Sequence, residues 1–464
     1  MSGVLGVWTA SDLLPIRLGT DAQTLPEGLP EGTTGSAPGL SALALDRVLY
    51  PGQPVAVVVA VSRAEAESAA AAIRLRIRAL PALVSPRDSA RLGAAPLHEE
   101  YPGNTCAKDY LGDYDKTVQA FERAAHVTRL QHLGKRPGLS TINIQEAAGI
   151  YDPTSGRCIL RRRSEERSLT GVEILERDAA SLVQVARLLG RSIEWVDHAL
   201  PESGQVAADF DFDWELALGG NGRFAAIRSS GFVSIGAFCL GTPPAIDAAA
   251  LPKLFTGLYE MPLVEVRRRF VLTNTAPKSW PSASIGYSPA YALERLIDAA
   301  AREVRLDPLQ LRKINLRNDA FVEWVDRAQG LADMAGFAAR KASSAKRGRL
   351  RGLGVGNFQR CLPTSEHDTS RAGYPDGTHV AEVEVDPASG AFAIVKYTAV
   401  TGAGVTTCAD GLRTYDGEVS RPDARAAVVN ALVDAVGGKS IDPPITTYRV
   451  WQQLNGPPPM LGLY

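Results

Sequence analysis

One turn is written twice in this chain, and it narrows what the chain can fold into. Asp152-Pro153-Thr154-Ser155-Gly156 and Asp386-Pro387-Ala388-Ser389-Gly390 each stand between two apolar, strand-like runs. Proline presets φ at the second turn position and glycine accepts the left-handed one, so both read as antiparallel hairpins. A third, ELALGGNGRFAAIR, turns at Gly219 to Gly222. The repetition hints at two related halves. Helical segments interleave with these hairpins. Ser62-Arg63-Ala64-Glu65 is a capping box that opens an alanine-rich helix to about Ala72, between a strand at 54–61 and an alternating strand at 73–79. A helix over 178–189 ends at Gly190 and leads into the strand Ile193-Glu-Trp-Val196. A third spans 290–304, with Leu293, Leu296, Ile297 and Ala300 at helical spacing. Asp307-Pro308 caps a short helix to about Asn315. Residues 423–436 are apolar along most of their length (AAVVNALVDAV), with Asn430 as the polar exception in the middle of the run, which predicts a largely buried helix. The fold class expected is α+β.

Composition excludes several functions. The chain has 464 residues, room for about three compact units or two larger ones at roughly 150 residues each. Lys and Arg total 50 against 51 Asp and Glu, which argues against a dedicated nucleic-acid partner. No run approaches the roughly 20 apolar residues of a membrane span. The N-terminus lacks a basic region before its short apolar patch, so it does not read as a signal peptide, and a cytoplasmic location is expected. Five scattered cysteines without a C-x-x-C pair predict neither a disulfide framework nor an iron–sulfur cluster in this chain, and the dispersed histidines predict no metal site.

Generic motifs carry little. Gly286-Tyr287-Ser288-Pro289-Ala290 nearly matches a nucleophile elbow, but SWPSAS before it is no buried strand, and a Ser-Pro helix start is the better reading. Gly352-Leu-Gly354-Val-Gly356 reads as a glycine-rich strand rather than a dinucleotide loop. The basic run Arg340 to Arg351 reads as a solvated helix face and linker.

Longer segments go further. SALALDRVLYPGQPVAVVVAVSRAEAESAAAAIRLRIRALPALVSPRDSA followed by PLHEEYPGN resembles the hammerhead domain of the xanthine dehydrogenase/aldehyde oxidase family. The resemblance is specifically to molybdopterin-binding large subunits of the carbon monoxide dehydrogenase type. It continues through FERAAHVTRL, EAAGIYDPTSGR, VARLLGRSIEWV, FTGLYEMPLVEV, TNTAP, YALERLIDAAAREVRLDPLQLRKINL, GTHVAEVEVDPASGAFAIVKYTAV and AAVVNALVDAV, in family order over nearly the whole chain. It implies a partial a/b hammerhead domain at 1–88, a linker at 89–117, a first molybdopterin-binding-like domain at 118–330 and a contracted remnant of a second at 331–464. It also implies a molybdenum hydroxylase-type oxidoreductase whose electrons leave through iron–sulfur and FAD subunits, this chain itself holding neither cluster nor flavin.

In that family a glutamate of a Gly-Glu pair acts as base on the metal-bound hydroxyl. The matching pair here is Gly417-Glu418, so Glu418 is the expected catalytic base; the alternative is a surface-turn glutamate. Cofactor-binding residues remain unassigned, because the expected glycine-rich loops are absent. SEERSLTGVEILERDAASLV stands between the first hairpin and VARLLGR, Lys278-Ser-Trp-Pro-Ser-Ala-Ser-Ile-Gly286 follows TNTAP, and the region before Tyr374-Pro-Asp-Gly-Thr378 lacks the Gln-Gly segment. A further stretch is missing between Val400 and Gly417. The chain is also shorter than the family and begins inside the hammerhead. Glycine lets backbone N–H groups close on an anionic pterin phosphate, so these losses predict weak or absent molybdenum–molybdopterin binding. The competing expectation is a noncatalytic scaffold or degenerate remnant that keeps the fold.

Overall fold

The computed structural model describes residues 3–13, 17–18, 34–41, 43–134, 146–152, 157–162, 166–167, 185–196, 209–240, 255–279, 287–358, 377–401, 404–408, 422–438, 441 and 445–456. The longer strands are β1 (Val4–Thr9), β2 (Ala56–Ala60), β3 (Thr105–Leu111), β4 (His126–Gly134), β5 (Glu146–Asp152), β6 (Arg157–Arg162) and β7 (Ile193–Val196). They continue as β8 (Phe210–Leu218), β9 (Phe224–Gly236), β10 (Leu263–Leu272), β11 (Leu350–Phe358), β12 (Gly377–Val385), β13 (Phe392–Thr401) and β14 (Gly404–Cys408). The helices are α1 (Arg63–Ala72), α2 (Pro86–Ser89), α3 (Tyr114–Glu122), α4 (Tyr287–Glu303), α5 (Pro308–Asn315), α6 (Asp319–Leu331), α7 (Phe337–Lys346), α8 (Pro422–Ala435) and α9 (Thr447–Asn455). Mixed helices and sheets agree with the expected α+β class.

A six-stranded sheet, ordered 34–35, β3, β10, β9, β8, β4, forms the largest layer; only β9 and β10 run parallel. Strand β8 shows why it has two faces. Phe210, Phe212, Trp214, Leu216 and Leu218 alternate with Asp211, Asp213 and Glu215, so one side is apolar and the other charged. The apolar side packs on Leu293, Leu296, Ile297 and Ala300 of α4, as their helical spacing requires. On the charged side Arg87 of α2 grips Asp211 through Nε and Nη2, both at 2.6 Å, and Arg228 lies over the Phe121 ring of α3.

A second sheet, β11-β12-β13-β14, is an antiparallel meander whose β12–β13 turn is the predicted one, with Gly390 at φ 72°. Ala381, Val383 and Val385 of β12 meet α8, while Glu382 and Glu384 point away from that apolar layer. A Cβ built on Gly352 or Gly354 would overlap the α8 backbone at Ala431 and Ala427. Those glycines are therefore strand residues that admit a helix at close range, as the glycine-rich strand reading expects.

The two sheets are joined through a buried polar knot. Arg312 of α5, with no exposed surface, donates from Nε to Glu294 Oε2 (2.9 Å) and from Nη2 to the carbonyls of Glu294 (3.0 Å) and Val355 (3.1 Å). Tyr259 donates to the other Glu294 oxygen (2.6 Å) and accepts from Asn357 (2.9 Å), whose Oδ1 accepts from Thr378 (2.8 Å). Asn430 of α8 donates to Val355 O (2.9 Å). Burial raises the Tyr259 phenol well above its usual range, which keeps it a donor.

Three local expectations are corrected. Residues 73–79 form no strand: beyond α1 the chain finds no partner backbone among the described residues, and alternation without a partner makes no ladder. Part of the expected linker, Thr105–Leu111, is β3, because Cys106, Ala107 and Asp109 bury and Asp109 pairs with Arg268 of β10 (2.9 Å). The basic run is not simply solvated. Arg340 (2.6 Å) and Arg351 (2.7 Å) hold buried Glu382, and Arg347 holds Glu384 (2.7 Å). Elsewhere, Ser62 caps α1 by accepting from the Glu65 N–H (3.4 Å), and Asp307 caps α5 (2.9 Å). The first hairpin forms between β5 and β6, its turn residues 153–156 lying outside the described residues, as does 178–184 of the predicted helix.

The glycine packing yields a test. Gly354→Ala is expected to lower stability by about 1–3 kcal/mol, since the added methyl must push α8 off the sheet. Urea unfolding followed by circular dichroism measures it.

Candidate functional site

Several connections leave the described structure at one end of the molecule. Gly134 at the end of β4 pairs with Phe210 at the start of β8, and β9 runs past that point to Gly236. In the second sheet, Phe358 and Thr401 both pair with Gly377. The segments 135–145, 197–208, 241–254, 280–286, 359–376 and 409–421 begin or end beside these strand ends and at the first turns of α4 and α8.

His132 shows that the two helix starts converge there. Its buried ring lies 5.1 Å from Phe210 and 4.8 Å from Tyr291, centroid to centroid, and Tyr291 sits in the first turns of α4. Burial, reinforced by the positive charges of Arg295 on α4 and Arg425 on α8, pushes the imidazole down to about 3, so it is neutral at physiological pH. Arg295 donates to the Asn430 side chain and thereby ties α4 to α8. Lys278, paired with Asp209, stands at the neighbouring strand ends. Two helix N-termini and two guanidiniums give this end a positive field.

A little deeper, His379 at the start of β12 is fully buried, and its Nδ1 shares a 2.5 Å hydrogen bond with the Tyr397 hydroxyl. The end of the molecule therefore combines an apolar, aromatic floor with the exposed Arg425 beside it, an arrangement able to attract an anionic group. Among the described residues no cluster of His, Cys, Asp or Glu could hold a metal ion. The charge fits an anionic pterin, with exposed Arg425 the described residue able to face it and buried Arg295 adding positive charge behind it.

Glu418 lies outside the described residues, as do Gly417, the SWPSAS segment and residues 359–376. Sequence reasoning missed His132, Arg295 and Arg425. Their only signal was position, one or two turns inside elements that border the altered loops. The near-elbow resolves as a helix start, because α4 begins at Tyr287.

Comparison with known proteins fits this geometry. Residues 177–316 match the molybdopterin cofactor-binding domain family. The chain is 25% identical over 413 residues to the nicotine 6-hydroxylase large subunit of Paenarthrobacter nicotinovorans, covering 77% of this chain and 48% of that protein. It is 23% identical over 372 residues to the carbon monoxide dehydrogenase large chain of Hydrogenophaga pseudoflava, covering 69% and 44%. The chain thus spans about half the length of the curated relatives it matches. Among solved structures, a Cu,Mo-CO dehydrogenase superposes with a TM-score of 0.76 at 15% identity, over 98% of this chain and 91% of that one. Quinoline 2-oxidoreductase from Pseudomonas putida 86 superposes with 0.75 at 18% identity, over 98% and 91%.

The resemblance to molybdopterin-binding large subunits read from the motifs is thereby shown: the chain is similar to them in sequence and shares their fold. No helix among the described residues is long and apolar enough to cross a membrane.

His132 gives a pH test. Its ordinary value is 6.5 and its folded value about 3, so between these the unfolded chain binds a proton that the folded chain refuses. Stability is unaffected above pH 6.5 and falls below it by about 1.4 kcal/mol per unit. His132→Phe is expected to remove this dependence, so between pH 7.5 and 5 the wild type should lose about 2 kcal/mol more than the variant. Urea titrations at the two pH values measure the difference.

Proposed function

We propose that this chain is the large-subunit component of a molybdopterin-dependent oxidoreductase of the hydroxylase type. The observation that carries the reading is the convergence of α4, α8, Arg295 and Arg425 around buried His132, at the end where β4 pairs with the start of β8. A molybdenum pterin, when bound, supplies hydroxylation at an electrophilic carbon. The chain's own part is to hold an anion with cations and helix N-termini, and to keep the floor beneath it apolar.

Glu418 is the proposed base. It stands four residues before Pro422 in the sequence, where α8, the helix that carries Arg425, begins. A carboxylate there can accept a proton made acidic by a nearby metal. The N-terminal ribbon β1–β2 with α1 corresponds in this reading to a partial hammerhead unit within 1–88, followed by molybdopterin-binding-like domains at 118–330 and 331–464. Separate iron–sulfur and FAD subunits would carry the electrons away, in the cytoplasm.

The altered loops favour a second reading on one specific ground. Segments that should present glycine amides to the pterin phosphate carry other residues, so cofactor affinity is proposed to be weak and the chain to serve as a noncatalytic scaffold or remnant.

Metal analysis of protein made in a molybdenum-cofactor-competent host separates the readings. Stoichiometric molybdenum is the outcome expected of the enzyme. Its absence, with iron–sulfur and FAD subunits co-purifying, is the outcome expected of the scaffold. With cofactor loaded, Glu418→Gln is expected to abolish substrate-dependent dye reduction and leave the molybdenum content unchanged; undiminished reduction removes Glu418 from the reaction.

A further inference from the structure

The charged face of the six-stranded sheet holds a second cluster of polar groups, beneath α3. Glu215 of β8 stands opposite Arg228 of β9, which stands opposite Glu265 of β10. Two residues on, Arg267 stands opposite Tyr110 of β3, so all five side chains share that face. Helix α3 crosses it. The Phe121 ring lies 4.3 Å from the Arg228 guanidinium carbon and the Tyr114 ring 4.8 Å from that of Arg267, which is also 5.9 Å from the Tyr110 ring. Thr117 falls between these two helix aromatics at i+3 and i−4 and is fully buried, which sets it over the sheet between the two arginines, where Glu265 lies.

The donors there are spent unevenly. Arg267 gives both Nε (2.7 Å) and Nη2 (2.5 Å) to one Glu265 oxygen, Oε1. Arg228 turns instead to Glu215, again with Nε (2.7 Å) and Nη2 (2.5 Å). The other Glu265 oxygen, Oε2, is left without a partner, as are the Tyr110 and Thr117 hydroxyls, and all three atoms are shut off from solvent. The elements that wall them in, β3, β9, β10 and α3, are described throughout. A buried carboxylate oxygen without a donor is costly, and such groups in folded proteins nearly always find one. Burial and the Glu265 charge raise the Tyr110 phenol above its usual range, so it keeps a proton to donate. We propose that Glu265 Oε2, the Tyr110 hydroxyl and the Thr117 hydroxyl form an internal binding site for one neutral, water-sized hydrogen-bond donor, a water molecule, which links α3 to β3 and β10. It donates to the carboxylate and exchanges hydrogen bonds with the two hydroxyls; three partners are the usual complement of an internal water. A cation is disfavoured, because Arg267 already balances Glu265 and a second positive charge out of water finds no counterpart. The site lies on the face of the sheet opposite α4, so it is independent of whether the chain binds a pterin.

Crystals of the full chain that diffract well enough to place waters, with and without a rubidium chloride soak, test the proposal. The expected result is a density peak within hydrogen-bond distance of Glu265 Oε2 and of at least one of the two hydroxyls, with no anomalous rubidium signal on it. Direct contact of either hydroxyl with Glu265 Oε2, with no peak between them, overturns the proposal. A rubidium signal at the peak overturns it in favour of a monovalent cation. In solution, Thr117→Val and Tyr110→Phe each delete one hydroxyl at nearly constant volume, and each should lower the thermal midpoint by about 2–4 °C. The double variant should lose less than the two single losses together, because the first deletion already loosens the shared water. Strict additivity, or no loss from either single variant, also overturns the proposal.

Discussion

The ion pair between Arg312 and Glu294 is the constraint on which the rest of the arrangement depends. Two charges held out of water are costly unless each lone pair and N–H finds a partner, and here they do. Arg312 spends its donors on the Glu294 carboxylate and on carbonyls of α4, α5 and β11, while Tyr259 occupies the remaining carboxylate oxygen. A guanidinium fork reaching three elements fixes their angles in a way that apolar contacts, which slide, do not. The second sheet is thereby registered against α4, and α8 follows because Asn430 shares the Val355 carbonyl with Arg312. That is why the first turns of α4 and α8, with Arg295 and Arg425, end beside the same histidine.

The electrostatics at that end follow from the same packing. His132 sits where a neutral ring is tolerated and a protonated one is not, because two arginines already crowd it. The positive field is therefore not neutralised by a nearby described carboxylate of its own; Asp209 is taken by Lys278 and Glu382 by Arg340 and Arg351. A positive field that no carboxylate among the described residues compensates is suited to an anion brought from outside.

Much of the framework was legible because its signals are local. The Ser62 cap, the Asp307-Pro308 start and the Gly390 turn each need only a few neighbouring residues to be read, and each forms as expected. Asn430 stood out as a polar residue in the middle of an apolar run, and its hydrogen bonds to Val355 and Glu294 explain it. What sequence hides is partnership across the chain. Nothing local marks Arg312 as the mate of Glu294, or TCAKDYL as a buried strand, because the pairing of Asp109 with Arg268 spans distant segments. The strand expected at 73–79 fails for the converse reason: alternation describes what a segment can do, and a ladder requires a second backbone. The site itself was legible only through family resemblance, and Glu418 rests on that alone.

The N-terminal unit shows the same logic in reduced form. A two-stranded ribbon is marginal by itself in water, and β1–β2 persists because Val59 and Trp8 pack with Val185, Ala186 and Ile193 from a distant part of the chain. One face of the ribbon is thus tied to the body of the protein through the helical residues before β7. Among the described residues, the chain that leaves α1 is next tied to that body by the hydrogen bond between Leu83 and Asn274.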